Sequence, residues 1–385
     1  MVHPNIPFLR SVGLMIGAIV GVGVFGLPYA FAQSGLALGL LELFAIGGLV
    51  LVLNLMFAEV VTQTHGSHRL VGYVAHYLGG RWKYAALTAM ACAIWGAMLA
   101  YMIVGGTFLS LLFSVSAPET RTALSFVVGI VAAGFIWGGL RFAARVEILV
   151  VLFLLFLFAF VIFASVPHLS VANLLTLDIG KAFIPYGVIL FALSGSGIVP
   201  EMKAVLGTGH KRSLVSAILL AVAVIVALYT LFSFAVVGAT GAATTSMSFD
   251  GLALVLGDGF VLVAALLGAL TIFSIYLVLG VELLNILKFD FRLPHPQAWL
   301  LTTAVPVLLF ALGLREFITI VGFVGGVFGG FVSILVALTY WKMRLSPWCR
   351  THHCVNFPAP LTWVLVGIFA IGMLLEIVQT FTLTL

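Results

Sequence analysis

Charge is what this chain has least of. Lys, Arg, Asp and Glu make up 8% of its 385 residues while hydrophobic types make up 63%, against about 25% charged in ordinary soluble domains. Too little polar surface exists to cover a water-soluble core, so a soluble globule is excluded. Apolar runs of roughly 20 residues instead match the ~30 Å of hydrocarbon that a helix must cross. These runs are apolar on every side, which excludes a transmembrane β-barrel, whose strands alternate with period two. No cleaved secretory signal is expected, since the apolar stretch after Arg10 is too long for an h-region and no small-residue cleavage pattern follows it. The chain reads as all-α and polytopic, bound to a lipid bilayer as a multi-pass cell-membrane protein.

Signatures of catalysis are missing as well. No metal-ligand pair falls within a span, and no phosphate-binding glycine loop with its lysine is present, so neither an enzyme nor an ATP-driven pump is expected. There are three cysteines. Cys92 lies within a span as a small packing residue. Cys349 and Cys354, with His352 and His353, are zinc-ligand types, but their spacing fits no established finger; they read as a solvated loop of reduced thiols.

Apolar windows between polar or Pro/Gly breaks give eleven spans, near 11–33, 37–61, 83–114, 122–141, 146–166, 180–206, 213–238, 252–287, 297–314, 317–341 and 361–383. With the N-terminus cytoplasmic, the only basic residues outside are Arg121, Lys181 and Arg315, out of 17 Lys and Arg. That bias satisfies the positive-inside rule and puts the C-terminus outside. The net charge of +5 is therefore topogenic, and no nucleic-acid partner is expected.

Span one contains Gly21-Val22-Gly23-Val24-Phe25-Gly26-Leu27-Pro28. Gly costs about 1 kcal/mol and Pro about 3 kcal/mol inside a helix, and unpaired backbone facing lipid costs more, so the break must lie beside protein or a polar cavity. Span six repeats the device in Phe191-Ala192-Leu193-Ser194-Gly195-Ser196-Gly197-Ile198-Val199-Pro200-Glu201, with its proline 172 residues after Pro28. Arg141 and Arg315, each following Gly-Leu, are 174 apart. An offset of five spans, an odd number, predicts a 5+5 inverted repeat: 1–178 for the first unit, 179–345 for the second, and 346–385 for a loop and an eleventh helix.

Paired broken helices in an inverted repeat point to a secondary transporter's substrate site. Amides that open a half-helix suit a carboxylate, and carbonyls that end one suit an ammonium group or a cation. A zwitterionic amino acid presents both on one carbon. Gly195 and Gly105, the aromatics Phe25 and Phe191, and the scarcity of intramembrane charge favour a neutral, apolar or aromatic side chain.

The stretch Gly17 to Ala30, the motif Phe191 to Glu201 and Arg69-Leu70-Val71-Gly72-Tyr73 resemble the amino acid/auxin permease group, near the hydroxy/aromatic amino acid permeases, within the amino acid–polyamine–organocation superfamily. The resemblance implies the leucine-transporter fold and ion-coupled symport by alternating access. It places the substrate carboxylate at the amides of Val22, Gly23 and Phe25. The ammonium falls at the carbonyls of Ile19, Phe191 and Ala192 and the Ser194 hydroxyl, with Tyr101 near the carboxylate. Gly26 and Gly197 are expected to keep the breaks open. A sodium site is implied at Gly17, Val20, Gly268 and Thr271, although Ile272 stands where a second hydroxyl is usual. A proton is the other coupling ion, which a desolvated carboxylate such as Glu201 could carry, yet Glu147 to Val166 holds no lysine that would replace sodium, and sodium is the ion expected.

Several acids invite simpler roles. Glu201 reads as a helix-start and gate residue, Glu59 and Glu282 as ion-pair members, Glu42 and Glu376 as snorkelling, and Asp250 and Asp258 as solvated. Two non-carrier readings share the same features: a channel lined by broken helices, and a sensor that binds amino acids without moving them. Saturable uptake with counterflow separates a carrier from both.

Overall fold

The computed structural model describes residues 6–64, 66, 68–115, 117–138, 143–207, 211–346, 349 and 357–384, and every regular element among them is helical. Eight described helices are long and apolar enough to span a bilayer, or nine with one bent pair. Every one of the eleven expected windows coincides with a helix or helix pair. The count differs because the helix at His295–Ala311 has 17 residues and the apolar part of the fifth window is short, Leu152–His168.

The first span is α1 (Ile6–Ile19), a tight turn at Val22–Gly26 and α2 (Leu27–Ser34), bent by 52°. The sixth is Ile184–Ala192, a short turn at Ser196–Ile198 and Val199–Leu206. In both, proline occupies the first turn of the second half-helix, where its missing N–H costs nothing.

One expected loop is a helix, and the expected eighth span is split in two. Residues Leu70–Leu78 form a helix ahead of the third span (Gly80–Leu112), and Phe249–Leu256 forms another, separated from the eighth span (Asp258–Asn285) by Gly257 at φ +80°. Only glycine reaches that φ without strain.

The third span is the axis of the bundle. Of its most apolar stretch 72% is buried inside the protein, against 28% for the fourth and the last spans, which leaves those two at the lipid edge. It packs chiefly on the eighth and fourth spans. Small residues allow the close approach: Gly106 lies against Ser125, Gly268 under the Phe108 ring, and Gly280 against Ile136. Gly105, expected to shape specificity, has Val128 in the place of a side chain at 3.2 Å.

Among the described residues three ion pairs form, all near helix ends. Lys211 Nζ lies 2.7 Å from a Glu59 carboxylate oxygen, and Glu59 is only 3% exposed, the ion pair expected of it. Lys203 Nζ donates to the Val61 carbonyl at 2.6 Å. Asp250 is not simply solvated: Arg121 grips it with two bonds of 3.2 Å, a fork that matches carboxylate geometry. Glu376 does not snorkel; at 7% exposure it points into the protein. Cys349 is disulfide-bonded, where a reduced thiol was expected. Cys354, His352 and His353 lie outside the described residues, as does Arg141.

Candidate substrate site at the two helix breaks

The helical ladder of α1 ends with the Val20 amide on the Ile16 carbonyl at 2.8 Å. Gly21 then turns to extended backbone, so the next amides and the Ile19 carbonyl leave the ladder. Unpaired, each buried group would cost about 1–3 kcal/mol. Two tyrosines meet this need. The Val22 N–H donates to the Tyr101 hydroxyl oxygen at 3.0 Å. The Tyr229 hydroxyl lies 2.8 Å from the Ala192 carbonyl and 3.3 Å from the Ile19 carbonyl. A phenol has one proton, so the Ala192 bond is primary and the Ile19 contact is shared. Both tyrosines are buried, Tyr101 at 4% and Tyr229 at 0% exposure.

The two breaks touch. Any side-chain carbon on Gly23 would come within 2.7 Å of the Phe191 ring and 2.9 Å of the Ala192 backbone. Gly195 is covered by the Ile19 side chain. The structure therefore gathers Ile19, Val22, Gly23, Tyr101, Phe191, Ala192 and Gly195 in one place. Ser194 and Gly197 border it on an exposed side. The Ser194 hydroxyl donates to the Leu190 carbonyl at 2.7 Å, which leaves its oxygen free to accept, and Gly197 has open space beside it.

Phe25 and Gly26 sit elsewhere. The Phe25 ring is fully buried among Phe108, Phe158, Phe232 and Phe249, with centroids 5.1 to 6.4 Å away. The buried Ser248 hydroxyl donates to the Phe25 carbonyl at 2.7 Å. This packed aromatic plug closes the α2 side of the breaks. Gly26 packs against Ile318, Val188 and Phe317 at 3.1 to 3.3 Å. A separate surface cleft of about 260 Å³ lies at the end of α2, lined by Gln33, Asp178 and Lys181, which already bond one another.

Of the expected sodium ligands, Gly268 and Thr271 both lie on the eighth span. The nearest neighbour where Gly268 would carry a side chain is the Phe108 ring, and the Thr271 hydroxyl donates to Leu267 on its own helix at 2.8 Å.

Sequence reasoning missed Tyr229 and Ser248. Tyr229 did carry a signal, since a phenol in an otherwise apolar stretch needs a polar partner when buried.

Set against known proteins, residues 6–378 match the model of the tryptophan/tyrosine permease family. The chain belongs to that family. A tyrosine-specific transport system 2 from Haemophilus influenzae is 25% identical over 363 residues, 86% of this chain and 87% of the relative. The amino acid transporter AVT3B of Arabidopsis thaliana is 32% identical over 126 residues, 31% of this chain and 30% of that protein. The crystal structure of a manganese transporter mutant from Eremococcus coleocola superposes with a TM-score of 0.66 at 13% identity, covering 96% of this chain and 85% of that one; the likeness is one of fold. This tryptophan/tyrosine permease family member is accordingly a multi-pass membrane transporter of amino acids and not an enzyme.

Proposed function

We propose that the protein moves aromatic amino acids, tyrosine or tryptophan, across the membrane by alternating access as an ion-coupled symporter. The observation that carries this reading is the pair of touching breaks, where one amide and two carbonyls bond tyrosine hydroxyls. Those hydroxyls occupy the positions that an α-carboxylate and an α-ammonium complement. A bound zwitterion fits both: its carboxylate accepts from the Tyr101 hydroxyl and its ammonium takes the place of the Tyr229 donor at the carbonyls, without importing a buried ion pair. The half-exposed Phe191 ring at the rim offers a flat apolar face to an aromatic side chain. The family description and the tyrosine-specific relative favour the same substrates.

The aromatic plug around Phe25 seals one side while Ser194 and Gly197 are open on the other, the asymmetry of a carrier facing one compartment. We take the architecture to be an inverted 5+5 repeat with an eleventh helix, the N-terminus cytoplasmic and the C-terminus outside. The open side then faces the cytoplasm. Orientation has a direct check. In intact cells, a cysteine at exposed Ala242 is expected to react with an impermeant thiol reagent, and one at exposed Arg81 only after permeabilisation; the reverse pattern would invert the topology.

Transport itself is tested in proteoliposomes with a panel of amino acids. Saturable uptake and counterflow of tyrosine or tryptophan, with little of lysine or glutamate, is the expected result. Binding without uptake would make the protein a sensor, and conductance without counterflow a channel. For the coupling ion, Ile272 stands where sodium-coupled relatives usually carry a second hydroxyl, and we take the ion to be a proton.

A further inference from the structure

One carboxyl group in the membrane part of the protein has no role in the site just described. Glu376 lies on the last helix (Ala359–Thr384) and is 7% exposed. Three glycines make room for it. A side-chain carbon on Gly187 would meet its Oε2 at 2.8 Å, one on Gly322 its Oε1 at 2.9 Å, and one on Gly326 its Cγ at 2.6 Å. These glycines come from the first half of span six and from the start of span ten, whose backbones approach each other at Gly187 and Gly322. The pocket is thus shaped around a carboxyl group at a three-helix seam.

Among the described residues, the surroundings hold no counter-charge. Among the described residues, none of the ion pairs includes Glu376. The first half of span six presents Tyr186, whose buried hydroxyl has no hydrogen-bond partner among the described residues and lies over Gly372, one turn before Glu376. Residues 317–329 of span ten carry no titratable side chain, and Glu376 is the only ionisable residue of its own helix. Tyr340, Lys342 and Arg344 of span ten are at its far end, where Tyr340 binds the Phe357 amide and Arg344 its carbonyl. Arg315, ahead of span ten, is turned to the Phe310 carbonyl and ring.

Desolvating an unpaired carboxylate costs far more than desolvating the neutral acid. The closed seam therefore favours a protonated Glu376, and an ionised Glu376 favours a seam opened to water. We propose that Glu376, with Tyr186 beside it, is the seat of the proton that accompanies the amino acid. This rests on the transport reading above. The step is binding alone: one proton joins the carboxylate, the charge of the seam falls from minus one to zero, and the neutral acid lies beside the Tyr186 hydroxyl. Gly187 is one helical turn before Phe191, so seam closure and the position of the break's carbonyls belong to one rigid half-helix. Proton occupancy and substrate-site geometry are then reciprocally linked.

The test uses the full-length protein in proteoliposomes with a pH dye inside. Wild type is expected to acidify the lumen when external tyrosine or tryptophan is added. Glu376→Gln should reduce that acidification about tenfold or more while counterflow remains measurable, since coupling energies of 1–3 kcal/mol correspond to about 5–150-fold. Glu376→Asp should keep acidification and move the pH midpoint of uptake. Should Glu376→Gln fail to fold, the Asp variant decides: an unchanged midpoint overturns the proposal. Wild-type acidification in Glu376→Gln, or uptake driven by sodium with no proton entry, overturns it too. Absence of counterflow in wild type would instead sink the transport reading.

Discussion

Gly23→Val is expected to lower tyrosine or tryptophan uptake by about ten- to a hundredfold, whereas Gly197→Ala keeps it within about twofold; the difference follows from overpacking, which costs about 1–3 kcal/mol where neighbours cannot yield. The neighbour of Gly23 is the Ala192 backbone at 2.9 Å. A backbone in the middle of a break cannot rotate away as a side chain does, so the two breaks must part. Parting them separates the Val22 amide from the Ile19 and Ala192 carbonyls, the groups read as binding the two ends of one zwitterion. Gly197 faces open space, so a methyl group there meets nothing. Gly26 is intermediate, because its neighbours are the side chains of Ile318, Val188 and Phe317 at 3.1 to 3.3 Å, which can shift by a few tenths of an ångström. The measurement is initial uptake per mole of monodisperse protein. Normal uptake by Gly23→Val would remove the breaks as the binding site.

The contrast between these glycines also shows what a sequence can and cannot reveal. Long apolar runs and glycine-proline breaks are one-dimensional signals, each set by a requirement that the bilayer imposes on a single segment. They placed a helix in every span window and the breaks at Gly21 and Gly195. Which glycine is crowded is a fact about a second segment, and Gly23, Gly26 and Gly197 look alike in the chain. The same holds for the groups that satisfy the broken backbone. Tyr101 was assigned through family resemblance, while Tyr229, 37 residues from its partner Ala192, was not. Phe25 was read as a pocket wall because it lies within the motif; four phenylalanines from distant segments make it a plug instead. Glu376 shows the limit most clearly. On its own helix it looks able to snorkel, and only Gly187, Gly322 and Gly326 on two other spans open the space that draws it inward.

Tyr101→Phe is expected to raise the KM for tyrosine and tryptophan by about ten- to a hundredfold, with a smaller effect on the maximal rate. The Tyr101 hydroxyl accepts from the Val22 amide, and among the described residues its own proton has no acceptor. A hydroxyl polarised by an incoming N–H is a better donor to the next group, because bonds in a chain reinforce one another in a water-poor interior. The substrate carboxylate is the acceptor that completes this chain. Hydrogen bonds to a charged group contribute about 1.5–3 kcal/mol, which sets the predicted range. The phenylalanine variant keeps the ring and its packing but leaves the Val22 amide unpaired in the empty protein. Part of the loss is therefore offset when a carboxylate binds that amide directly, so the effect stays finite instead of abolishing transport. Tyr229→Phe separates the two ends of the substrate. It removes a donor to the Ala192 and Ile19 carbonyls, which an ammonium group can replace, so substrate should protect this variant against heat more than it protects wild type. Equal KM values for wild type and Tyr101→Phe would mean that the carboxylate is held elsewhere.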